Sequence, residues 1–134
     1  MRLSYVAFLL IIIACSKIKH KKLLGEWTVD RVEIQDGNGF KYYISTSQNN
    51  NNQLNISSDS IYSNVHFEFI PLGANFTIYD SLKLNTIWTD SSDILRLEDG
   101  NLNLKVDLLT NNHMVVNYYD LNTYRLKTFF LSKN

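Results

Sequence analysis

Leu102, Leu104, Val106 and Leu108 occupy every second position, with Asn103, Lys105 and Asp107 between them. That spacing sets four apolar side chains on one face of an extended strand, and it does not match the 3.6-residue stripe of a helix. The same period recurs where Val65, Phe67 and Phe69 oppose His66 and Glu68, and where Phe76 and Ile78 flank Thr77. Near the end of the chain, Tyr124, Leu126, Thr128 and Phe130 oppose Arg125, Lys127 and Phe129. In Ile87-Trp88 two large apolar residues are adjacent, so one of them faces out of its sheet unless the strand bulges. No window after residue 24 shows a capped, 3.6-periodic apolar stripe. The chain is therefore expected to be all-β.

Turn signals at Asp36-Gly37-Asn38-Gly39, Pro71-Leu72-Gly73 and Asp99-Gly100 punctuate this pattern. Strands are expected at about 26–35, 40–46, 53–57, 60–69, 74–79, 82–89, 93–98, 102–109, 113–120 and 123–131. Short strands joined by short turns form sequential antiparallel hairpins, and a meander of about eight to ten of them removes its free edges by closing on itself. A small antiparallel up-and-down barrel is the first expectation and a small sandwich the second. Asn49 to Asn52, flanked by Gln48 and Gln53, is too polar for a core and is expected to be a loop.

The N-terminus has a different character. Met1-Arg2 supplies one positive charge, and Leu3 to Ala14 is a nearly unbroken apolar run. A membrane-spanning helix needs ~20 apolar residues, so this run has instead the length of a signal-peptide core. It ends in Ile12-Ile13-Ala14-Cys15, which resembles the lipobox of bacterial lipoproteins. The resemblance implies a lipoprotein signal peptide over 1–14, cleavage after Ala14, and acylation of Cys15, the only cysteine in the chain. Two or three acyl chains, at ~0.8 kcal/mol per buried methylene, anchor a protein stably in a membrane. Ser16, in place of the Asp that favours inner-membrane retention in lipoproteins, points to the outer membrane.

Residues 15–22 read as a lipidated tether with four lysines, Lys17, Lys19, Lys21 and Lys22, and residues 23–134 as one domain. Of the 13 basic residues in the chain, 8 fall in that domain against 13 acidic ones, a net charge of −5. Basic tether residues are attracted to anionic headgroups while the acidic body is repelled. Some lipoproteins of the Bacteroidetes carry an acidic surface-export signal after the cysteine. The basic tether lacks it, so a periplasm-facing position is expected.

Leu23-Leu24-Gly25-Glu26-Trp27 resembles the Gly-x-Trp start of the lipocalins, an eight-stranded barrel family. Leu108 to Val116, followed by a short turn and Tyr124 to Leu131, is similar to the end of the small lipocalin-like lipoproteins of Bacteroidetes. The resemblance implies a tight backbone at Gly25, a Trp27 that plugs the closed end, and a cation from Arg125 lying across that indole. It also implies a ligand cup. No Thr-Asp-Tyr motif precedes the last strands, and a body of 112 residues is short for the family.

Catalytic chemistry is not indicated. His20, His66 and His113 are isolated, and the sequence has no phosphate-binding Gly-rich loop or nucleophile elbow. Asp90, Asp93, Glu98 and Asp99 gather near one turn without the alternating oxygen ligands of a calcium loop. A non-enzyme is expected, with no metal, no cofactor and, given the balanced charge, no nucleic-acid partner. Tyr42, Phe67, Phe76 and Tyr118 are the candidate lining of a pocket for a small hydrophobic ligand, although the same aromatics equally make a packed core. The two function classes are a lipid-anchored binding protein and a filled-barrel envelope interaction protein, such as an accessory subunit of a membrane machine or a toxin-immunity lipoprotein.

Overall fold

The computed structural model describes residues 21–39, 41–45, 52–70, 73–91, 94–97 and 103–133, with 41–45, 69, 90 and 91 described as backbone. The expected signal peptide, Cys15 and most of the tether lie outside the described residues, as do Asp93, Glu98 and Asp99. Among the described residues nine strands follow in chain order: β1 (Gly25–Gln35), β2 (Lys41–Ser45), β3 (Gln53–Ile56), β4 (Ser60–Phe69), β5 (Ile78–Ser91), β6 (Ile94–Leu97), β7 (Asn103–Leu109), β8 (His113–Asp120) and β9 (Arg125–Lys133). Every pairing is antiparallel, and β9 returns to pair with β1.

Eight strands form the closed ring. β2 pairs with residues 31–35 of β1, and β3 pairs with residues 25–28 on the same edge, so these two short strands together occupy one position of the barrel wall. The sandwich alternative is thereby excluded. Closure pairs each edge, which is how a sheet avoids exposing a ready template for aggregation. Among the described residues the buried core runs from Leu23 to Leu131, and the ring closes through pairs that extend to Lys133.

Inward positions carry the apolar half of each alternation. Leu54 and Ile56 of β3, Ile61, Val65 and Phe67 of β4, Leu82, Leu84 and Trp88 of β5, and Leu104 and Val106 of β7 are all buried. Of the adjacent pair in β5, Trp88 is buried and Ile87 faces out. An eight-stranded barrel is just wide enough for such side chains to fill it.

Two bulges re-phase the pattern. In β1, Val29 pairs with Leu131 and Arg31 with Phe130, so Asp30 is an extra residue and the inward set changes from Trp27 and Val29 to Val32 and Ile34. In β7 the extra residue is Asp107, which turns Leu108 out to solvent and brings Leu109 against the core. The expectation that Leu108 shares a face with Leu104 and Val106 is corrected by that bulge.

Two further expectations are corrected. The stretches 74–79 and 82–89 are not two strands, because β5 runs unbroken from Ile78 to Ser91 through Asp80 and Ser81. In β9 the buried face is Lys127, Phe129 and Leu131, the opposite of the one the apolar residues favour, while Phe130 lies on the outer wall beneath the Arg31 guanidinium at 4.0 Å from its ring centroid. The two departures meet at one contact, the ion pair of Lys127 in β9 with Asp80 in β5.

Candidate functional site

The two ends of the barrel differ. At one end a helical turn over residues 21–23 tucks Leu23 into the core, and the fully buried Trp27 indole donates from Nε1 to the Leu23 carbonyl at 2.8 Å. Trp27 plugs this end. Gly25 precedes it with φ +127°, a conformation that L side chains rarely adopt, and a Cβ there would sit 3.0 Å from Lys133 Cε. The cation over the indole is Lys133, with Nζ 4.7 Å from the ring centroid and donating to the Lys22 carbonyl at 3.1 Å. Arg125 does not fill that role. Trp27 pairs in register with Lys133, and Arg125 is eight residues away along β9, roughly 26 Å of strand, where it pairs with Asp120.

The opposite end is the mouth, where β1, β4 and β8 end and β5 and β9 begin. Its inward side chains include Ile34, Phe67, Asp80, Tyr118, Asp120 and Lys127. Lys127 is the centre. Its side chain is 4% exposed, and its ammonium contacts Asp80 Oδ2 at 2.7 Å and Asp120 Oδ2 at 2.9 Å. It also lies 5.6 Å from the Tyr118 ring centroid and 5.9 Å from that of Phe67. Below it, the Phe67 and Phe129 rings meet edge to face at 6.0 Å.

This arrangement follows from register. Lys127 pairs with Tyr118 across β8–β9 and with Ile34 across β1–β9, while Phe67 pairs with Asp80 across β4–β5. Counting around the ring, β5 and β9 stand on opposite walls, so the Lys127–Asp80 ion pair crosses the mouth like a bar. The carboxylates have further donors. Asp80 Oδ1 accepts from the Ser81 amide at 2.7 Å, and Asp120 Oδ1 from the Asn122 amide at 2.9 Å.

Burial acts to raise the Asp120 carboxyl, but hydrogen bonds from Lys127, Thr123 and the Asn122 amide outweigh it and bring the pKa down to about 2. Burial acts to lower Lys127, and its hydrogen bonds to Asp80 and Asp120, with their charges, hold it above the ordinary lysine value. Tyr118 is pushed up by burial and then by the Asp120 charge, with Lys127 opposing. By formal charge the group is one lysine between two aspartates, a net −1 facing the mouth.

Of the four aromatics expected to line a pocket, the structure brings Phe67 and Tyr118 together around Lys127. Tyr42 stands in β2 in register with Ile34, and its side chain is not among those described. Phe76 does not join them: it is 61% exposed in the connection before β5. Lys127, Asp80 and Asp120 were not expected. Their signal was phase, since Lys127 alternates with Phe129 and Leu131, and Asp80 with Leu82 and Leu84. Asn52 lies in the connection before β3, as expected of a loop residue, but its burial was not expected. It is 2% exposed, its carbonyl accepts from the Val29 amide at 2.8 Å and its Oδ1 from the His66 amide at 3.0 Å, bridging the point where β2 gives way to β3.

His66 is half-buried with Nε2 3.0 Å from Asn64 Oδ1, and His113 is exposed at the start of β8. Among the described residues no group of three or more His, Cys, Asp and Glu side chains is arranged to hold a metal ion. The chain matches no protein-family model, and neither the curated proteins nor the solved structures contain a significant match to it.

Proposed function

We propose that this chain is a lipid-anchored envelope protein, held at the membrane through Cys15, whose lipocalin-like barrel binds a small, largely hydrophobic ligand at its mouth. The observation that carries the reading is the asymmetry of the barrel. One end is plugged by the fully buried Trp27, whereas the other presents the half-buried Tyr118 and the Phe67 ring around a charged group whose Asp80 side chain is still 24% exposed. Such a site offers an aromatic wall to an apolar body and carboxylate oxygens to a polar head. Because the charges sum to −1, a neutral donor or an amine suits that head better than an acid.

The test is titration of the folded barrel with an apolar fluorescent probe. A saturable signal that competitors reverse, and that Tyr118→Ala weakens without lowering the melting temperature by more than a few degrees, supports the reading. An unsaturable signal, or one indifferent to Tyr118, rejects it. The anchor is tested separately by metabolic labelling with a fatty-acid probe: label should disappear in Cys15→Ala, because no other thiol exists.

A second reading is favoured by the packing. Below the mouth, the inward side chains of Trp27, Val65, Val116 and Phe129 are at most 2% exposed. A barrel filled in this way suits an interaction protein that works through its outer surface, and it becomes the better account if the probe titration fails.

A further inference from the structure

The mouth end of the β4–β5 hairpin stands apart from the rest of the wall. Five register pairs run up it, from Val65 with Leu82 to Phe69 with Ile78. On the β4 side the ladder to β3 ends at Asn64, and on the β5 side the ladder to β6 begins at Trp88. β2 runs beside β4 but takes its register from β1. Among the described residues no further strand is in register with either outer edge of these five pairs. The His66 amide, which points away from β5, ends on the Asn52 side chain, 3.0 Å from Oδ1. A two-stranded ribbon is marginally stable by itself. This one is held by the buried Val65, Phe67 and Leu82 on its underside and by the ion pair of Asp80 with Lys127 of β9 at 2.7 Å.

We propose that these five pairs form a hinged flap over the mouth, turning at Asn64 and its register partner Lys83, and that the Lys127–Asp80 ion pair is its latch. Each half of the latch keeps a partner when it opens. Lys127 retains Asp120 of its own β8–β9 hairpin at 2.9 Å, and Asp80 retains the Ser81 amide, 2.7 Å from Oδ1. A buried charge that loses its last partner is strongly disfavoured, and this opening leaves none in that state. Asp80 is also the more exposed carboxylate, 24% against 11%, so water reaches it more readily on release. Asp120 is tied to its own hairpin by the Asn122 amide. The lysine therefore stays with β8–β9, and the aspartate leaves with β4–β5.

As a moving part the flap is independent of what the mouth binds. As the entry for a ligand it rests on the reading of the mouth given above. There the geometry is favourable, because lifting the flap uncovers Val65, Phe67 and Leu82, an apolar wall that faces Tyr118 across Lys127. A lid of this kind sets how fast a ligand enters and leaves.

Residue-resolved amide hydrogen exchange of the full chain tests the flap. Alternation from His66 places the amides of Val65, Phe67, Asp80 and Leu82 in the β4–β5 ladder of the flap, and those of Ile61, Ser63, Leu84 and Thr86 in the ladder below the hinge. In the natural protein the first set should exchange about tenfold faster than the second and depend less on urea, the mark of local opening. Asp80→Asn should speed the flap set about tenfold further and leave the lower set within about twofold, while Asp80→Glu, which restores the charge, should return it toward the natural rate. Asp120→Asn leaves the latch in place and should speed the mouth end of the β8–β9 ladder instead. Equal rates and equal urea dependence of the two sets in the natural protein overturn the flap. Equal acceleration of both sets by Asp80→Asn, or loss of the fold, makes the ion pair a structural staple and overturns the latch. The entry role is read with the apolar probe, whose association and dissociation rates Asp80→Asn should raise together by about tenfold. Unchanged rates in a variant whose flap exchanges faster overturn that role. A probe that does not bind at all fails the ligand reading, while the exchange pattern still decides the flap.

Discussion

Replacing Lys127 by Met keeps the length of the side chain and removes its charge, leaving Asp80 and Asp120 facing each other at the mouth. Removing one partner of a buried ion pair costs about 3 to 5 kcal/mol, because the other charge stays desolvated and uncompensated. Lys127 meets that condition, with a 4% exposed side chain held between carboxylates that are 24% and 11% exposed. Part of the loss can be read from Asp120. Its pKa falls from 3.8 to about 2 on folding, worth about 2 kcal/mol across all its donors, of which Lys127 is the strongest. Because the folded value is depressed, that stability is present above the unfolded pKa and is lost only as pH falls through about 2. Lys127 is shifted upward, so its contribution holds below its unfolded pKa and is lost only in strong base. The natural protein should therefore change little in stability between pH 4 and pH 7 on account of these groups. The variant should not, because its unpaired carboxylates take up a proton as the pH falls. Urea melts of the barrel at both pH values should show a deficit of about 3 to 5 kcal/mol at pH 7 that shrinks by about 2 kcal/mol at pH 4. If the variant does not fold at pH 7, recovery of the fold at pH 4 is the corresponding result. A deficit below about 1 kcal/mol at pH 7, or one of equal size at both pH values, would refute the assignment of Lys127 as a buried charge compensated by two aspartates.

Trp27→Ala should destabilise the barrel by about 3 to 5 kcal/mol in the same melts, the range for deleting a large buried aromatic. Lys133→Ala should cost about 1 kcal/mol through the lost cation–π contact, while Arg125→Ala should leave the indole fluorescence of Trp27 unchanged; the reverse ranking would restore Arg125 to the closed end. Gly25→Ala should cost more than about 1 kcal/mol, since the alanine must adopt φ +127° and its Cβ presses on Lys133 Cε, and a neutral effect would mean that β1 starts differently.

The all-β class, the meander and most strand boundaries were legible because they rest on the period-two burial of Val, Leu, Ile and Phe, which local sequence carries directly. The mouth was not, because its defining contact joins residues 47 positions apart, Asp80 and Lys127, and each taken alone reads as a surface charge. Asp80-Ser81 resembles a break between two strands only until Lys127 supplies a partner inside the barrel. Lys127 itself reverses the apparent face of β9, since placing it inward puts Phe129 and Leu131 inward as well and sends Leu126 and Phe130 out, where Arg31 covers the latter ring. The bulge residues Asp30 and Asp107 were hidden for a related reason, as each looks like an ordinary outward polar residue until the strand beyond it changes phase. A buried charge is tolerated only when its partners are fixed in place, and here those partners come from two different hairpins. The group that defeated the local pattern is thus the same one that ties the β4–β5 and β8–β9 hairpins across the mouth, so the position hardest to read from sequence sets the geometry of the surface proposed to meet ligand.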